Sequence, residues 1–361
     1  MKIGSILTKI LAAVLMIGTL AFAQALVTPK YTSGIVEGSL TGEYYAETTP
    51  HDVIFIGDCE AYETFSPITL WNDYGITSYV RGSAQQLMWQ SYALLEETLA
   101  REKPRVVVLS LIAMKYDQPQ KEAYNRMTLD GMRWSAAKVN GIRASMMPDE
   151  HFLDYVFPLL RFHSRWSELT ADDFRYLFNR PKLFHNGYYM RVDVKPVTSI
   201  PVGKKLPDYR FGANAMGYLD RITQLCKEKG VELILNKAPT IYPYWYPEWD
   251  RQMVDYAATH DLHYYNFLAL SVAAKDEIGI DFQTDTYDAG LHLNLSGVEK
   301  LSTYFGRILR DDYGVPDHRG DATLAAVYAG KTAFYDAMRD RQLAELAQYG
   351  HLLGIGAQPA Q

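Results

Sequence analysis

The segment Val53-Ile54-Phe55-Ile56-Gly57-Asp58-Cys59-Glu60 gives the clearest indication of the fold class. Its apolar run predicts a buried parallel strand over Val53–Gly57, and Gly57-Asp58 predicts a turn at the carboxyl end of that strand. Open α/β sheets place their chemistry at this end of their strands. Because Cys59 follows the turn directly, we expect a nucleophilic thiol at the functional edge of a sheet.

Further strand and helix patterns alternate along the chain. The other predicted strands cover residues 78–81, 106–111, 232–236 and 264–267. The predicted helices cover residues 83–103, with Ser83 as N-cap, and 214–229, 249–260, 296–310 and 322–349. Strands that alternate with helices predict a doubly wound parallel sheet of the α/β class, and right-handed crossovers would gather the strand carboxyl ends on one edge.

The alternation stops between residues 117 and 212, which contain Trp134, Trp166 and many prolines and tyrosines. This segment predicts a helical or irregular inserted cap, with a helix beginning near Thr170. The predicted α/β domain therefore consists of residues 50–116 and 213–314. A helical tail, residues 315–361, follows it, and residues 1–27 precede it as an export segment.

Composition excludes some classes of function. The chain has 361 residues, of which 48% are apolar, so it can bury a full core. The net charge is -6 and no basic stripe is present, which argues against a nucleic-acid partner. The 27 tyrosines suit amphipathic surfaces such as glycan sites, although tyrosine is also ordinary core material.

The amino terminus places the body of the protein outside the cytoplasm. Lys2 and Lys9 precede an apolar stretch over residues 10–27. Within it, residues 21–25 resemble signal-peptidase sites, whereas the length is almost enough for a retained membrane anchor. In the second case both lysines would stay inside. We expect an extracytoplasmic protein that is membrane-anchored or secreted.

Two segments far apart in the sequence supply a set of catalytic side chains. The second is Asp288-Ala289-Gly290-Leu291-His292-Leu293-Asn294. A thiol attacks an acyl carbon well when a histidine removes its proton and a carboxylate orients that histidine. Cys59, His292 and Asp288 are the candidates for these roles. The backbone N–H groups of Cys59 and Gly82 are candidates for stabilising the oxyanion.

These segments resemble the SGNH (GDSL-type) hydrolase superfamily. Gly57-Asp58-Cys59 matches its first block, Gly82 in residues 81–86 matches the second-block glycine, and Asp288 with His292 resembles the last block. Within this superfamily, the chain is most similar to an envelope branch that includes alginate O-acetylation proteins and the teichoic-acid D-alanyl transfer protein. The similarity lies in the order of the blocks, the export segment at the amino terminus and the sizeable insertion. The resemblance implies a three-layer, flavodoxin-like fold. It also implies ester hydrolysis or acyl transfer through a covalent acyl-enzyme, with no metal or cofactor.

Three positions depart from the family pattern. Cys59 stands where the family has serine, so a thioester would replace the ester intermediate, and a helix N-terminus or a nearby imidazolium would lower the thiol pKa. Three residues, rather than two, separate Asp288 from His292. The third-block Gly-x-Asn-Asp has no match, so Lys115, Asn125 or no residue at all completes the oxyanion hole.

Two classes of function follow from the sequence. The first is an exported acyl esterase or acyltransferase that acts on O-acyl groups of an envelope or extracellular polysaccharide, with Cys59 as nucleophile. The second is an inactive protein that keeps the fold and holds a glycan or an envelope assembly partner, with the tail as one docking element. Cys226 lies in a helical pattern and is predicted to be a buried small apolar residue, and His260 and His263 lack a third metal ligand.

Overall fold

A computed structural model describes residues 2–32, 35–36, 38–273 and 277–353. An apolar helix, α1 (Lys2–Val27), leads into the body of the protein. The outward part of this helix exposes large apolar side chains, whereas Leu26 and Val27 are buried against the body. A short antiparallel pair, β1 (Tyr31–Thr32) and β2 (Ile35–Val36), and the helix α2 (Ser39–Glu43) connect α1 to the sheet.

The body contains a five-stranded, all-parallel sheet. Its strands are β3 (Val53–Gly57), β4 (Ser78–Gly82), β5 (Val106–Ser110), β6 (Glu232–Lys237) and β7 (His263–Asn266). Their spatial order is β4-β3-β5-β6-β7, so the first strand of the sheet lies between the second and the third. In this doubly wound order, the chain adds β4 on one side of β3 and then adds β5, β6 and β7 on the other side. The change of side leaves a crevice between β3 and β5 at their carboxyl ends.

The remaining helices follow in chain order. They are α3 (Cys59–Tyr62), α4 (Pro67–Tyr74), α5 (Met88–Arg101), α6 (Glu122–Leu129), α7 (Ala136–Ser145), α8 (Phe152–Val156), α9 (Pro158–Phe162), α10 (Ala171–Phe178), α11 (Ala213–Lys229), α12 (Pro247–His260), α13 (Phe267–Ser271), α14 (Leu295–Asp311) and α15 (Ala322–Tyr349). Short 3₁₀ helices cover Tyr44–Ala46, Ile112–Lys115 and His163–Glu168.

Helices cover both faces of the sheet, which gives three layers. Alternate residues of β3 belong to different cores: Ile54 and Ile56 to one, Val53 and Phe55 to the other. Residues of α5, α11 and α12 complete the first core, and residues of α4, α14 and α15 complete the second. Strands buried on both faces are apolar throughout, which is why β3 and β5 read as continuous apolar runs. The three-layer, flavodoxin-like α/β fold predicted from the sequence is confirmed.

Between β5 and α11, the chain forms five short helices, α6 to α10. Thr170 caps α10 as predicted, because Asp173 Oδ2 accepts a hydrogen bond from its backbone N–H at 2.9 Å. From residue 179 to 212 the chain runs without a helix or strand, apart from a bridge between His185 and Tyr188. Phe184 and Tyr188 are buried in the second core, so this segment packs into the α/β body.

One helix begins later than predicted. Ser83 was expected to cap a helix, but α5 begins at Met88, and Gln90 Oε1 accepts a hydrogen bond from the backbone N–H of Leu87. Ser83 donates its hydroxyl to Gln86 instead, at 3.2 Å. Residues 83–87 are therefore a loop at the carboxyl end of β4, which keeps this stretch available to the crevice.

Candidate active site

The turn after β3 holds Cys59 at the edge of the crevice. Gly57 has φ +151°, and a Cβ at this position would lie 2.5 Å from Ser110 Cβ on the adjacent β5, so only glycine fits there. Asp58 then caps α3, because its Oδ1 accepts a hydrogen bond from Glu60 N–H at 3.0 Å. Cys59 is the first residue of α3 and is half-buried.

The loop before α14 holds His292 by two hydrogen bonds to one carboxylate. Asp288 Oδ2 lies 2.6 Å from His292 Nδ1, and Asp288 Oδ1 accepts the backbone N–H of His292 at 2.7 Å. Ala289 and Gly290 have φ values of +64° and +96°, which folds the additional residue of this loop into a tight turn. The departure in spacing therefore leaves the Asp288–His292 contact intact.

The two segments meet at the carboxyl edge of the sheet. The sulfur of Cys59, a carboxylate oxygen of Glu63 and a ring nitrogen of His292 all lie within 4.8 Å of one another. Glu63 Oε2 is 3.1 Å from His292 Nε2, and Tyr287 donates its hydroxyl to Glu63 Oε1 at 2.7 Å. The Tyr287 ring also stacks on the imidazole, with ring centroids 5.7 Å apart. The site thus contains a thiol, an imidazole, the carboxylate that contacts that imidazole through Nδ1, and a second, buried carboxylate.

The electrostatics of the site favour a protonated histidine. Burial opposes the charge on His292, but the neighbouring Glu63, Cys59 and Asp288 outweigh it and hold its pKa well above the usual value. Burial also raises the pKa of the Glu63 carboxyl, while His292 opposes that rise. Because the Glu63 carboxylate stabilises the imidazolium, His292 loses its proton at a higher pH than an ordinary histidine does.

The thiol pKa is high in this state of the site. Burial, followed by the Asp58 charge, raises the pKa of Cys59 to about 11, although His292 lowers it. The sequence predicts a lowered pKa for this thiol, and the structure differs because burial of the sulfur and the neighbouring Asp58 charge together outweigh the lowering effect of His292. Asp58 itself has its pKa raised to about 7 by burial and by Glu60, against the lowering effect of Lys115.

A buried ion pair fixes α3 to the end of β6. Lys237 Nζ lies 2.8 Å from Glu60 Oε1 and also donates to the carbonyl of Ala238 and the hydroxyl of Thr240, each at 2.8 Å. Both charged side chains are almost fully buried. A buried charge persists only when it is paired and hydrogen-bonded, so this contact holds the turn at Cys59 in register with β6.

A cleft of about 340 Å³ opens over these residues. Besides Cys59 and His292, its walls contain Lys115 and Arg191. Its aromatic lining consists of six tyrosines: Tyr62, Tyr116, Tyr124, Tyr189, Tyr242 and Tyr287. Tyrosine presents an apolar ring and a hydroxyl together, a combination that suits hydroxylated ligands such as sugars.

Gly82, one of the two predicted oxyanion donors, lies beside the turn that precedes Cys59. Gly82 pairs with Gly57 in the sheet, and a Cβ at Gly82 would lie 2.9 Å from Gly57 O, so it brings β4 close to the nucleophile turn. The cleft wall after β4, however, is formed by Ala84 and Gln85. Of the other candidates, Lys115 lines the cleft. Asn125 is buried and bonded elsewhere, because its Nδ2 donates to Ser145 O at 2.8 Å and its Oδ1 accepts from Gln90.

Glu63, Tyr287 and Lys237 were not identified from the sequence. Glu63 follows Cys59 by four positions at the start of a helix, and this spacing places both side chains on one face, which is a signal that the sequence does carry. Tyr287 precedes Asp288 directly. Lys237 at the end of an apolar strand gives no comparable signal, because a lysine there is ordinarily solvated.

Comparisons with known proteins give structural neighbours only. No family model matches the chain, and no curated protein matches it. A lipolytic protein of the G-D-S-L family from Desulfitobacterium hafniense is 11% identical with a TM-score of 0.37, covering 71% of this chain and 98% of that one. A protein described as an acylhydrolase from Bacteroides fragilis is 10% identical, with a TM-score of 0.35 and coverage of 75% and 95%. A GDSL-like lipase from Bacteroides thetaiotaomicron is 10% identical, with a TM-score of 0.34 and coverage of 76% and 100%. At such identities, function has to be inferred from the chemistry of the cleft.

Proposed function

We propose that this protein is an extracytoplasmic acyl esterase or acyltransferase that acts on O-acyl groups of an envelope or extracellular polysaccharide. The observation that carries the proposal is the meeting of Cys59 with the His292–Asp288 pair, whose ring nitrogen and carboxylate lie 2.6 Å apart. A thiol, a base and an orienting carboxylate in one cleft are the groups that acyl transfer needs.

The reaction proceeds in two balanced steps. His292 removes the thiol proton, the sulfur attacks the acyl carbon, and the ester C–O bond breaks as the sugar oxygen takes the proton back from His292. Water or an acceptor hydroxyl then attacks the thioester as His292 accepts its proton, and the C–S bond breaks to release the acyl group as the sulfur takes that proton back from His292. Asp288 holds the ring in the orientation that both steps require.

The polysaccharide substrate is inferred from the lining of the cleft and from the amino terminus. Six tyrosines offer stacking surfaces and hydroxyls to a glycan. The apolar helix α1 contains one span, Ile6–Val27, that is long enough to cross a membrane, and a signal sequence satisfies the same criterion. An enzyme at the outer face of a membrane would meet envelope glycans directly.

Acyl-ester turnover by the full chain tests the proposal. We expect the wild type to hydrolyse an acetylated glycan or an aryl acetate, and both Cys59→Ala and His292→Ala to lose that turnover. A thioester adduct on Cys59, detected by mass spectrometry after quenching, would identify the nucleophile. Equal turnover in all three proteins would remove the catalytic proposal.

The second candidate function is a glycan-binding protein without catalysis. The raised pKa of the Cys59 thiol favours it, because the thiolate is scarce at neutral pH in the free protein. Glycan binding that Cys59→Ala leaves unchanged, together with an absence of thioester, would support this function over the first.

A further inference from the structure

The cleft contains three side chains of the types that bind zinc. Cys59, Glu63 and His292 each present one ligand atom, and the three atoms lie within 4.8 Å of one another. Zinc takes thiolate, imidazole and carboxylate ligands at roughly 2.0–2.3 Å, and sites with three protein ligands keep a fourth position open. The separation of 3.1 Å between His292 Nε2 and Glu63 Oε2 matches neighbouring ligands of one such ion.

The free atoms of these side chains lie close together in the same part of the cleft. His292 Nδ1 faces Asp288, and Glu63 Oε1 accepts the hydroxyl of Tyr287. Their other atoms, His292 Nε2 and Glu63 Oε2, are buried and lie 3.1 Å from each other. Glu63 is only 3% exposed. An ion placed between His292 Nε2 and Glu63 Oε2 would be bound by both atoms in place of their contact with each other.

We propose that Cys59, Glu63 and His292 bind one Zn²⁺ ion. Asp288 and Tyr287 hold the ligating side chains from behind, as carboxylates commonly do for metal-bound histidines. Binding forms one Zn–S, one Zn–N and one Zn–O bond, and the protons of the thiol and the imidazolium pass to solvent without any redox change. While zinc is bound, Cys59 cannot attack an acyl carbon and His292 cannot accept a proton. Zinc is therefore a reversible inhibitor of the proposed reaction, and this consequence alone rests on the proposed function.

Direct binding measurements test the site without any need for turnover. The full chain, freed of metal with a chelator, is titrated with Zn²⁺ by calorimetry and with Co²⁺ by absorption spectroscopy. We expect one equivalent of each metal, and a thiolate-to-cobalt charge-transfer band in the near ultraviolet. Glu63→Gln should weaken zinc binding by at least ~100-fold, and Asp288→Asn by about 10–100-fold. Cys59→Ser should abolish the band.

The second cysteine provides the matched control. Cys226 lies on the buried face of α11, so Cys226→Ala should keep both the stoichiometry and the band. Absence of binding, or equal affinity in the wild type and Glu63→Gln, would overturn the zinc site. Zinc binding in a protein that never turns over an ester would leave the site standing and remove only the proposed function, so the two failures are distinguishable.

A separate observation concerns the surface beside α1. Within residues 153–178, large apolar side chains are exposed at six positions: Leu153, Phe157, Leu160, Trp166, Phe174 and Phe178. Soluble surfaces seldom concentrate so many in one segment, and such a patch marks an interaction site. Leu160 lies on α9, Phe174 and Phe178 lie on α10, and Trp166 lies on the 3₁₀ helix His163–Glu168; these three helices contact α1.

The end of α1 is fastened to this segment. Arg165 donates to Val27 O at 2.6 Å, and the rings of Phe22 and Phe178 lie 6.5 Å apart. We propose that residues 153–178 form a collar that enters the membrane interface around the point where α1 leaves the bilayer. The occupant of the patch is the lipid surface, because the patch is continuous with a helix that can itself span a membrane. This proposal rests on α1 being retained as an anchor.

Tryptophan quenching by bromolipids tests the collar in the full chain reconstituted into nanodiscs. Trp166 is 49% exposed, whereas Trp249 is 9% exposed on α12. Trp166→Phe should remove most of the bromolipid-dependent quenching, and the control Trp249→Phe should keep it. Quenching that is unchanged in Trp166→Phe would overturn the collar, as would a stable dimer in which Trp166 is shielded by a second copy of the chain.

Discussion

Asp288 contacts His292 at two points, with Oδ1 on the backbone N–H at 2.7 Å and Oδ2 on ring Nδ1 at 2.6 Å. One carboxylate therefore fixes both the position of the residue and the rotation of its ring. The ring is presented to the cleft through Nε2, and its tautomer is set by the bond on the opposite side.

The first prediction concerns this carboxylate. In Asp288→Asn, the amide keeps the shape of the side chain but no longer stabilises an imidazolium, so we expect kcat for ester turnover to fall by about 10²–10⁴-fold. Steady-state kinetics on an aryl acetate measure the change. Asp340→Asn, at an exposed position on α15, is the control and should leave kcat unaltered. A variant at Asp288 that retains wild-type kcat would contradict the orienting role.

The second prediction concerns pH. Because the pKa of His292 is raised well above its usual value, the base is protonated at neutral pH and kcat/KM should increase as pH rises above neutrality. Glu63 is a major cause of that rise, so Glu63→Gln lowers the pKa of His292 and should move the ascending limb of the profile to lower pH. The control Glu228→Gln, on the exposed side of α11, should reproduce the wild-type profile. A limb that stays in place in Glu63→Gln would show that the carboxylate does not act on the base.

Most of the sheet could be predicted from the sequence, because a parallel strand that is buried on both faces appears as a short continuous run of apolar residues. Strands at residues 53–57 and 106–110, and the helix beginning at Ala213, lie within a residue or so of the predicted positions. The edge strand β7 begins one residue before its prediction, at His263, because half-exposed strands have a weaker pattern. The helix after β4 was predicted to begin too early, because a serine that could cap a helix bonds within a loop instead.

The candidate site was predicted in part. Cys59, His292 and Asp288 could be paired from the sequence because the carboxyl ends of parallel strands share one edge, and the structure brings the three together. Their catalytic roles remain a prediction. Glu63 and Lys237 could not be assigned, because the role of each depends on a partner supplied by a distant loop or strand. Burial of such partners is a property of the tertiary structure.

The third prediction concerns the buried pair that anchors α3. Lys237→Met leaves the Glu60 carboxylate buried without its partner, so we expect unfolding free energy to fall by about 3–5 kcal/mol. The double variant Glu60→Gln/Lys237→Met removes both charges and should recover most of that loss. Urea denaturation of the three proteins measures the difference. Equal losses in the single and double variants would show that the charge pairing is not the cause.

The fourth prediction compares two glycines. Gly57→Ala places a methyl group 2.5 Å from Ser110 Cβ at a φ of +151°, so it should lower the unfolding free energy by roughly 1–3 kcal/mol and displace Cys59. Gly217 lies inside α11 with no atom within 4 Å of the added Cβ, so Gly217→Ala should raise the unfolding free energy by about 0.5–1 kcal/mol. Thermal unfolding separates the two, and a destabilised Gly217→Ala with an unaffected Gly57→Ala would refute the packing at the turn.

Glu63 and Tyr287 are joined by a hydrogen bond although 224 positions separate them along the chain. Synthesis runs from the amino terminus, so the sulfur emerges from the ribosome long before the imidazole that would activate it. A chain cut short anywhere upstream of the last loop carries a thiol with no base beside it. The proposed acyl transfer therefore requires a chain that has been made through its last loop and folded.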